Sequence, residues 1–433
     1  MTVETVPNVR PRRLSKDEIE ANFADLHPPL SRSEALIEAD RCYFCYDAPC
    51  TTACPTGIDI PGFIQKIRSD NIRGSAQTIF RENIMGGMCA RVCPTEVLCE
   101  EACVRNTHEE KPVEIGLLQR YATDPVIDAG TQLFTRAPSS GKKVAVVGGG
   151  PAGLSCAHRL AVLGHDVVIF NRDEKPGGLN EYGIAAYKTV DDFAQIEINY
   201  ILSVGGIEVK HRVTLGEDVQ LSELVSDFDA VFLGIGLGQS NDLGIDGEDK
   251  EGVINAIDYI AELRQADDKS KLPIGKTVVV IGGGMTAIDI AVQSRHLGAQ
   301  QVHMVYRRGP EKMSASVFEQ ALAQTSGVTI HHRAPPKRIL GDGHVTGVEF
   351  ETDDGKFVLF ADMVFKAIGQ QMKGIGDLDM DNGRMVVNDG HRTSHEKVWA
   401  GGDCVVGGDD LTVSAVQHGK VAAIDIDRRL REQ

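Results

Sequence analysis

The sequence predicts an α/β protein with an all-α, cysteine-rich N-terminal domain and two nested Rossmann-like dinucleotide-binding domains. Three observations predict this fold class. Eight of the ten cysteines lie between Cys42 and Cys103. Two glycine-rich turns, about 134 residues apart, each follow a short apolar strand and precede an apolar helix. A third glycine-rich segment, ending at Asp403, follows the second turn and predicts a return to the first nucleotide fold.

The cysteines form two blocks of four, and each block contains a Cys-Pro-Thr sequence. The blocks are Cys42-x2-Cys45-x4-Cys50-x3-Cys54 and Cys89-x3-Cys93-x5-Cys99-x3-Cys103. Thiolates at this density need a soft cation, and a Cys-Pro that ends a block is typical of two-cluster iron–sulfur proteins. The spacing therefore predicts an iron–sulfur domain that carries electrons singly.

Disulfides and structural zinc are the two alternatives for these cysteines. The N-terminal start carries charges and no apolar core, so we expect no signal peptide and a reducing cytoplasmic location, which disfavours disulfides. Zinc sites usually pair two C-x2-C units across a longer loop, and these blocks do not follow that pattern. Iron–sulfur clusters remain the favoured interpretation.

Composition excludes further classes of protein. A net charge of −17 argues against nucleic-acid binding, which needs a basic surface. No apolar run is long enough to cross a bilayer, so we predict no membrane association. Within the N-terminal region, Ser31 and Glu34 predict a helix capping box, and Asp59 before Pro61 predicts a second helix start. Residues 135–142 predict a linker.

The first glycine-rich turn follows the strand Lys143–Val147 and has the G-x-G-x-x-G form. The Gly-Gly-Asp segment near the C-terminus favours FAD at this turn, because in flavoproteins with two dinucleotide folds such a segment closes over the cofactor. Asn171 stands where a ribose-binding carboxylate is expected, with Glu174 as a substitute. The predicted FAD residues are Gly148, Gly150, Pro151, Ala152, Gly153, Asn171, Arg172, Gly178, Leu179, Lys188, Gly402, Asp403 and Thr412.

The second turn follows Thr277–Ile281 and has the G-x-G-x-x-A form. Arg307 and Arg308 end the next strand, which favours the 2′-phosphate of NADPH, although NADH stays open. The predicted NAD(P) residues are Gly282, Gly284, Met285, Thr286, Ala287, Arg307, Arg308, Lys312, Ala367, Ile368 and Gly369. The predicted domains are 1–140 (helical, two [4Fe–4S] clusters), 141–250 (FAD, first part), 251–370 (NAD(P)) and 371–433 (FAD, second part).

Over its full length the chain resembles the FAD and iron–sulfur portion of the dihydropyrimidine dehydrogenase family, most closely the separate small subunit of the bacterial form. Three stretches carry the resemblance: CYFCYDAPCTTACPTGIDIPGFI, MCARVCPTEVLCEEAC and PVEIGLLQRYATD. The small subunit of glutamate synthase has the same layout. In the dihydropyrimidine enzymes a glutamine in the third stretch binds a cluster, and Gln119 stands there; glutamate synthase is expected to have glutamate.

The resemblance implies one cluster on Cys42, Cys45, Cys50 and Cys103, and another on Cys54, Cys93, Cys99 and Gln119. Spacing alone would instead give the eighth place to Cys89, because four-cysteine clusters are the general rule. Ser314 departs from NADPH-dependent relatives, which carry a basic residue there. Lys188 is implied to position FAD and to stabilise charge on its reduced ring.

The implied activity is oxidation of NAD(P)H through FAD, with single electrons passing through two [4Fe–4S] clusters to an FMN and iron–sulfur catalytic subunit that reduces uracil or thymine. We therefore expect an enzyme that acts in a hetero-oligomer. A glutamate synthase small subunit is the main alternative. A thioredoxin reductase is disfavoured because residues 251–370 contain no cysteine. An electron-transfer module without flavin has only Asn171 in its favour.

Overall fold

The structure is a computed structural model that describes residues 13–372 and 375–432. Residues 1–12, which include most of the charged start considered for a signal peptide, lie outside the described residues. The mixed α/β fold class is confirmed. No helix in the described ranges is long and apolar enough to cross a membrane.

The α-helices are α1 (Lys16–Asn22), α2 (Arg32–Asp40), α3 (Pro49–Ala53), α4 (Ile60–Arg68), α5 (Ile72–Glu82), α6 (Gly86–Val92), α7 (Asn106–Glu109), α8 (Ile115–Asp128), α9 (Pro151–Val162), α10 (Leu179–Tyr182), α11 (Phe193–Leu202), α12 (Leu221–Asp227), α13 (Ala256–Gln265), α14 (Met285–His296), α15 (Val317–Thr325) and α16 (Thr412–Arg431). Short 3-10 helices span Thr95–Val97, Lys269–Lys271 and Pro310–Lys312.

The strands are β1 (Lys143–Val147), β2 (Asp166–Asn171), β3 (Ile207–His211), β4 (Ala230–Leu233), β5 (Gln239–Ser240), β6 (Val253–Asn255), β7 (Thr277–Gly282), β8 (Gln301–Val305), β9 (Val328–His331), β10 (Pro336–Leu340), β11 (Gly347–Thr352), β12 (Gly355–Phe360), β13 (Met363–Ala367), β14 (Gln370–Gln371), β15 (Met380–Asp381), β16 (Arg384–Met385) and β17 (Val398–Ala400).

The chain folds into two compact units. Among the residues that the structure describes, the larger unit comprises 26–184, 191–239, 370–372 and 375–432, and the smaller unit comprises 13–25, 185–190 and 240–369. Each unit is built from three separate segments of the chain. The predicted domain boundaries stay predictions.

The larger unit joins the N-terminal helices α2–α8 to a five-stranded parallel sheet in the order β17-β4-β1-β2-β3. One continuous apolar core runs through both parts and includes Phe63 on α4, Leu118 on α8 and Val146 on β1. The predicted helix starts are confirmed: Ser31 and Glu34 form a capping box at α2, and the Asp59 side chain accepts from an N–H in the first turn of α4. The helical region and the sheet are therefore packed against each other.

The smaller unit repeats the same topology. Its parallel sheet has the order β6-β13-β7-β8-β9, so β7 is central, as β1 is in the larger unit. In both units a buried central strand leads directly into a glycine-rich turn and a helix. The smaller unit also contains an antiparallel sheet, β10-β11-β12, that the sequence interpretation does not include.

Candidate functional site

The first predicted cluster site is a cavity on the larger unit. The thiols of Cys42, Cys45, Cys50 and Cys103 all line it. Burial raises the pKa of Cys50 to about 12, and repulsion from Cys42 and Cys103 adds to the increase. Cys42 shows the same direction of pKa shift, with burial as the main cause. Four cysteine thiols around one cavity, two of them with raised pKa values, fit a site that needs positive charge to hold thiolates.

The second predicted cluster site brings together three cysteines of different segments. The pKa of Cys93 is raised by a hydrogen bond with Cys89, by burial, and by repulsion from Cys99 and Cys54. Burial is the main cause of the raised pKa of Cys99, and Cys54 contributes to it. Within the described residues, no three His, Cys, Asp or Glu side chains converge on a single-ion site. Cys54, Cys93 and Cys99 would instead hold a multi-iron cluster.

Gln119, the eighth ligand that the resemblance implies, is buried on α8. Its Nε2 donates to the carbonyl oxygen of Gly86 at 2.7 Å. No hydrogen bond reaches its Oε1 within the described ranges, so the amide oxygen is available to a cation. Cys89 is buried at 2% exposure and contacts Cys93. The choice between Gln119 and Cys89 as eighth ligand stays a prediction.

The first glycine-rich turn connects β1 to α9. Gly148 has a φ of +99°. A Cβ atom on Gly153 would lie 1.9 Å from the Gly148 carbonyl oxygen, so glycine is required there. A Cβ atom on Gly150 would meet nothing nearer than 3.8 Å, at the Cα of Gly178. This is an ordinary van der Waals distance, so the turn lies close to the Gly178 backbone.

The helix α9 begins at Pro151 and Ala152, and no side chain caps its first turn. The unpaired N–H groups of such a turn, together with the helix dipole, attract anions. Gly178, which lies close to Gly150, has a φ of +55° and precedes Leu179, the first residue of α10. These predicted positions thus lie close together in the larger unit.

The hydrogen bonds of Asn171, at the end of β2, explain why an amide stands where a carboxylate was expected. Its Oδ1 accepts from the Gly149 N–H at 3.1 Å. Its Nδ2 donates to the carbonyl oxygens of Asp173 at 2.8 Å and Lys175 at 3.0 Å. A carboxylate could not make these two donations. The amide fixes the turn and the following loop, while its predicted neighbour Arg172 is exposed and pairs with Asp173.

The Gly402–Asp403 segment supplies an unpaired carboxylate to the larger unit. Burial, with some repulsion from Asp410, raises the pKa of Asp403 to about 6. Asp403 has no hydrogen bond or ion pair within residues 13–372 and 375–432. The Gly402 N–H donates to Nδ1 of His418 at 3.1 Å, which fixes the segment against α16. A partly buried carboxylate without a partner fits a site for ligand hydroxyl groups.

This site is also supported by Asn180 and His418, which the sequence interpretation missed. Thr412 donates from Oγ1 to Oδ1 of Asn180 at 2.7 Å. Asn180 is buried, and its Nδ2 has no partner in the part of the chain that the structure describes. His418 is the second. Neither Asn180 nor His418 has a local sequence signal, because each forms its hydrogen bond with a residue that is distant in the chain or on another element.

The second glycine-rich turn connects β7 to α14, whose first turn holds the predicted Met285, Thr286 and Ala287. No side chain caps this helix. A Cβ atom on Gly282 would lie 2.2 Å from the Ala367 carbonyl oxygen on the adjacent β13. The end of β13, with the predicted residues Ala367, Ile368 and Gly369, therefore lies beside the turn. A Cβ atom on Gly284 would lie 3.1 Å from Oγ of Ser314.

The basic residues after β8 differ in how they are held. Arg308 donates from Nε to the Tyr306 hydroxyl at 2.9 Å, and that hydroxyl donates to the Lys312 carbonyl oxygen at 2.6 Å. Arg307 is exposed, and neither its guanidinium nor the Lys312 ammonium has a partner in the described residues. One cation is thus fixed and two are free to bind an anionic group.

Lys188 lies in the smaller unit and is buried. Its Nζ is 2.8 Å from an oxygen of Asp289 and 2.7 Å from an oxygen of Glu319. Burial lowers the pKa of Lys188, but the two carboxylates raise it by more, so the side chain stays charged. This ion cluster holds the segment 185–190 to the smaller unit. The role of Lys188 at FAD stays a prediction.

Comparisons with known proteins agree with this arrangement. The family described as "Pyridine nucleotide-disulphide oxidoreductase" matches residues 142–419. The family described as "Dihydropyrimidine dehydrogenase domain II, 4Fe-4S cluster" matches residues 19–131. These matches confirm FAD, NAD(P)H and [4Fe–4S] clusters as the cofactors, and they confirm an NAD(P)H-dependent oxidoreductase.

Two curated relatives match nearly the whole chain. The "Glutamate synthase [NADPH] small chain" of Escherichia coli is 34% identical over 96% of this chain and 95% of its own. The "NAD-dependent dihydropyrimidine dehydrogenase subunit PreT" of Salmonella typhimurium is 33% identical over 95% of this chain and 98% of its own. Thioredoxin reductase of T. acidophilum has a TM-score of 0.54 and 22% identity, over 66% of this chain and 99% of its own, which shows a shared fold.

Proposed function

Since the chain belongs to the pyridine nucleotide-disulphide oxidoreductase family, within its flavin and iron–sulfur NAD(P)H oxidoreductase subunits, we propose that it is the electron-input subunit of a dihydropyrimidine dehydrogenase. The observation that carries this proposal is Gln119. The pyrimidine enzymes are expected to use a glutamine ligand at this place. In this chain that glutamine is buried, fixed through Nε2, and free at Oε1.

When bound, FAD accepts a hydride from NAD(P)H and returns electrons one at a time to iron–sulfur clusters. The protein's task is therefore to bind and orient the cofactors. One cluster would be held by Cys42, Cys45, Cys50 and Cys103, and the other by Cys54, Cys93, Cys99 and Gln119. The shared apolar core of the helices and the sheet keeps the two cluster sites and the first glycine turn in one unit.

The chain's own residues would bind FAD in three ways. The uncapped start of α9 offers N–H groups to the pyrophosphate. Asn171 fixes the glycine turn through its three hydrogen bonds. Asp403 offers a carboxylate acceptor to hydroxyl groups of the ribityl chain. The unpaired state of Asp403 in the described residues supports that assignment.

NAD(P)H would bind at the second glycine turn of the smaller unit, where α14 also lacks a side-chain cap. Arg307 and Lys312 would reach the ribose region, with Arg308 braced by Tyr306. Ser314 stands beside the turn and brings no charge. Both NADPH and NADH are compatible with this set of residues.

The partner in this proposal is an FMN and iron–sulfur subunit that reduces uracil or thymine. The test mixes the purified chain with such a subunit and follows NAD(P)H-dependent loss of uracil. The chain alone should oxidise NAD(P)H with an artificial acceptor and leave uracil unchanged. Uracil reduction by the chain alone, or no reduction by the mixture while the artificial assay works, would contradict the proposal.

A glutamate synthase small subunit is the second candidate. The 34% identity to such a chain over 96% of this one supports it. The same preparation, mixed with a glutamate synthase large subunit, glutamine and 2-oxoglutarate, separates the two candidates. We expect glutamate formation to stay at background while uracil reduction proceeds.

A further inference from the structure

Glu197 is a buried carboxylate that the proposed function does not use. It lies on α11 of the larger unit and is 0% exposed. Its Oε1 accepts from the N–H groups of Gly87 at 2.8 Å and Met88 at 3.0 Å. Its Oε2 is buried and has no hydrogen bond within the described residues. A half-satisfied carboxylate in this position is costly and requires a reason.

The backbone that Glu197 binds belongs to the cluster region. Gly86–Met88 form the first turn of α6, and Cys93 caps the other end of that helix. Gln119 donates to the Gly86 carbonyl oxygen at 2.7 Å, so Glu197 and the predicted amide ligand hold the same turn from two sides. A change of charge on Glu197 therefore acts on backbone that is one hydrogen bond from the second cluster site.

The packing around this turn is close. A Cβ atom on Gly87 would lie 2.6 Å from the Phe193 ring and 2.9 Å from Oε1 of Glu197. A glutamine at 197 would offer the same acceptor oxygen to both N–H groups without any cost of ionisation. The fold thus needs an acceptor here, but it does not need an acid. The acid adds one property, which is the ability to gain and lose a proton.

The charged groups around Glu197 favour that exchange. Burial raises the pKa of Glu197 to about 8, opposed by the two N–H bonds and by Arg91, while Asp124 adds to the increase. Arg91 on α6 is itself committed to Asp124 on α8, through bonds of 2.9 and 2.8 Å. The Arg91 guanidinium also stacks on the Phe193 ring at 3.3 Å.

The other elements packed against α11 bring few charges. Helix α10 contributes Glu181, whose Oε2 accepts from the Gln195 amide of α11 at 2.9 Å. Helix α9 contributes His158, whose pKa burial lowers to about 3, and Arg159, which donates to a carbonyl oxygen of α5. On α11 itself, Tyr200 has its pKa raised to about 12, mainly by burial. Protonation of Glu197 is thus controlled mainly by its burial.

We propose that, at alkaline pH, where its carboxylate is ionised, Glu197 takes up one proton when one electron enters the iron–sulfur site at Cys93 and Gln119. The electron comes from NAD(P)H and the proton from solvent: one electron reduces the site, one proton converts the carboxylate to the acid, and the buried region gains no net charge. The ionised carboxylate disfavours the electron, and the neutral acid does not. The inference rests on the proposed cluster assignment.

The test is a mediated redox titration of the cluster-loaded protein, monitored by electron paramagnetic resonance between pH 7 and 10. The midpoint potential of one cluster should fall by about 59 mV per pH unit above the pKa of Glu197 in the oxidised protein. In Glu197→Gln the oxygen acceptor is kept, and that potential should be independent of pH. Glu38→Gln is the matched control, because Glu38 is also buried and accepts a backbone N–H, from Glu114 at 2.9 Å. It should keep the wild-type slope.

A pH-independent potential in the wild type, or an equal slope in Glu197→Gln, overturns the inference. If Glu197→Gln fails to fold, the wild-type infrared difference spectrum on reduction, recorded at the alkaline end of this pH range, decides. It must show loss of a carboxylate band and gain of a carboxylic acid band, and their absence overturns the inference. These results are separate from the proposed function, which fails only if no cluster signal is present or no electrons reach the pyrimidine partner.

Discussion

The Gln119 amide and the Gly86 carbonyl are joined by a 2.7 Å hydrogen bond that commits the nitrogen of the side chain and leaves its oxygen without a partner in the described residues. The bond connects α8, which follows the cysteine-rich region, to α6, the helix that carries Cys89. The bond fixes the position of the Gln119 side chain, and the Oε1 oxygen has no hydrogen bond in the described residues.

Replacing Gln119 with alanine should remove one cluster. The expected result is a loss of about four of about eight irons per chain, because the fourth ligand of one [4Fe–4S] cluster is gone. Iron and sulfide analysis measures it. Cys89→Ala is the control and should keep the full iron content. A loss confined to the Cys89 variant would show that the thiol is the eighth ligand.

Replacing Asn171 with aspartate should weaken the first nucleotide turn, although it restores the residue type expected there. The two donations to the Asp173 and Lys175 carbonyl oxygens disappear, and a carboxylate then faces those oxygens. We expect a loss of about 1–3 kcal/mol in unfolding free energy and faster release of FAD. Thermal unfolding and flavin fluorescence measure both. Tighter FAD binding in the variant would contradict this account of Asn171.

Asp403 should make the flavin-free protein sensitive to pH. The pKa of Asp403 is about 6 in the folded protein, compared with 3.8 for an unperturbed aspartate. The folded state therefore keeps the proton to a higher pH than the unfolded state does. The contribution of Asp403 to stability is complete below about pH 4 and is lost as the pH rises to 6. Asp403→Asn should remove this loss and stabilise the flavin-free protein by about 2 kcal/mol at pH 7, while it weakens FAD binding. Chemical unfolding at several pH values tests the sign. An equal pH profile in both proteins would refute it.

Arg307 and Arg308 should have separable effects on nicotinamide cofactors. Arg307→Ala removes a free cation and should raise the KM for NADPH about tenfold, with little change for NADH, if the cation binds the 2′-phosphate. Arg308→Ala breaks the bond to Tyr306 and should impair both cofactors. Initial rates with an artificial acceptor measure the two ratios. If Arg307→Ala raises the KM for NADPH and for NADH equally, Arg307 has no role in binding the 2′-phosphate.

Lys188 should be important for the stability of the smaller unit. Lys188→Met leaves Asp289 and Glu319 buried without their cation, and this should cost about 3 kcal/mol or more in unfolding free energy. Glu319→Gln in the Lys188→Met background should recover part of the loss. If single Lys188→Met unfolds as the wild type does and instead alters only the flavin spectrum, its main role is at FAD.

Local patterns predicted much of the fold. The apolar runs at Val144–Val147 and Val278–Ile281 become the central strands of two parallel sheets, and the glycines that follow them are required by close backbone contacts. Ser31 and Asp59 start helices as their local sequence indicates. These features depend on residues within a few positions of each other, so the sequence alone contains their cause.

Features that depend on distant residues could not be predicted. Asn171 was expected at the ribose, yet its Oδ1 accepts from the N–H of Gly149, which is 22 positions away in the chain. His418 holds Gly402 from the middle of α16, and Glu197 holds Gly87 across 110 positions of the chain. Such contacts follow from how the elements pack, and no local spacing encodes them.

The measurement that tests the central claim most directly is the iron, sulfide and FAD content of the anaerobically purified chain, followed by addition of NADH or NADPH. The account predicts about eight irons and one FAD per chain, and bleaching of the flavin absorbance by at least one of the two cofactors. A colourless protein with zinc as its metal, or a flavin that neither cofactor bleaches, would contradict it.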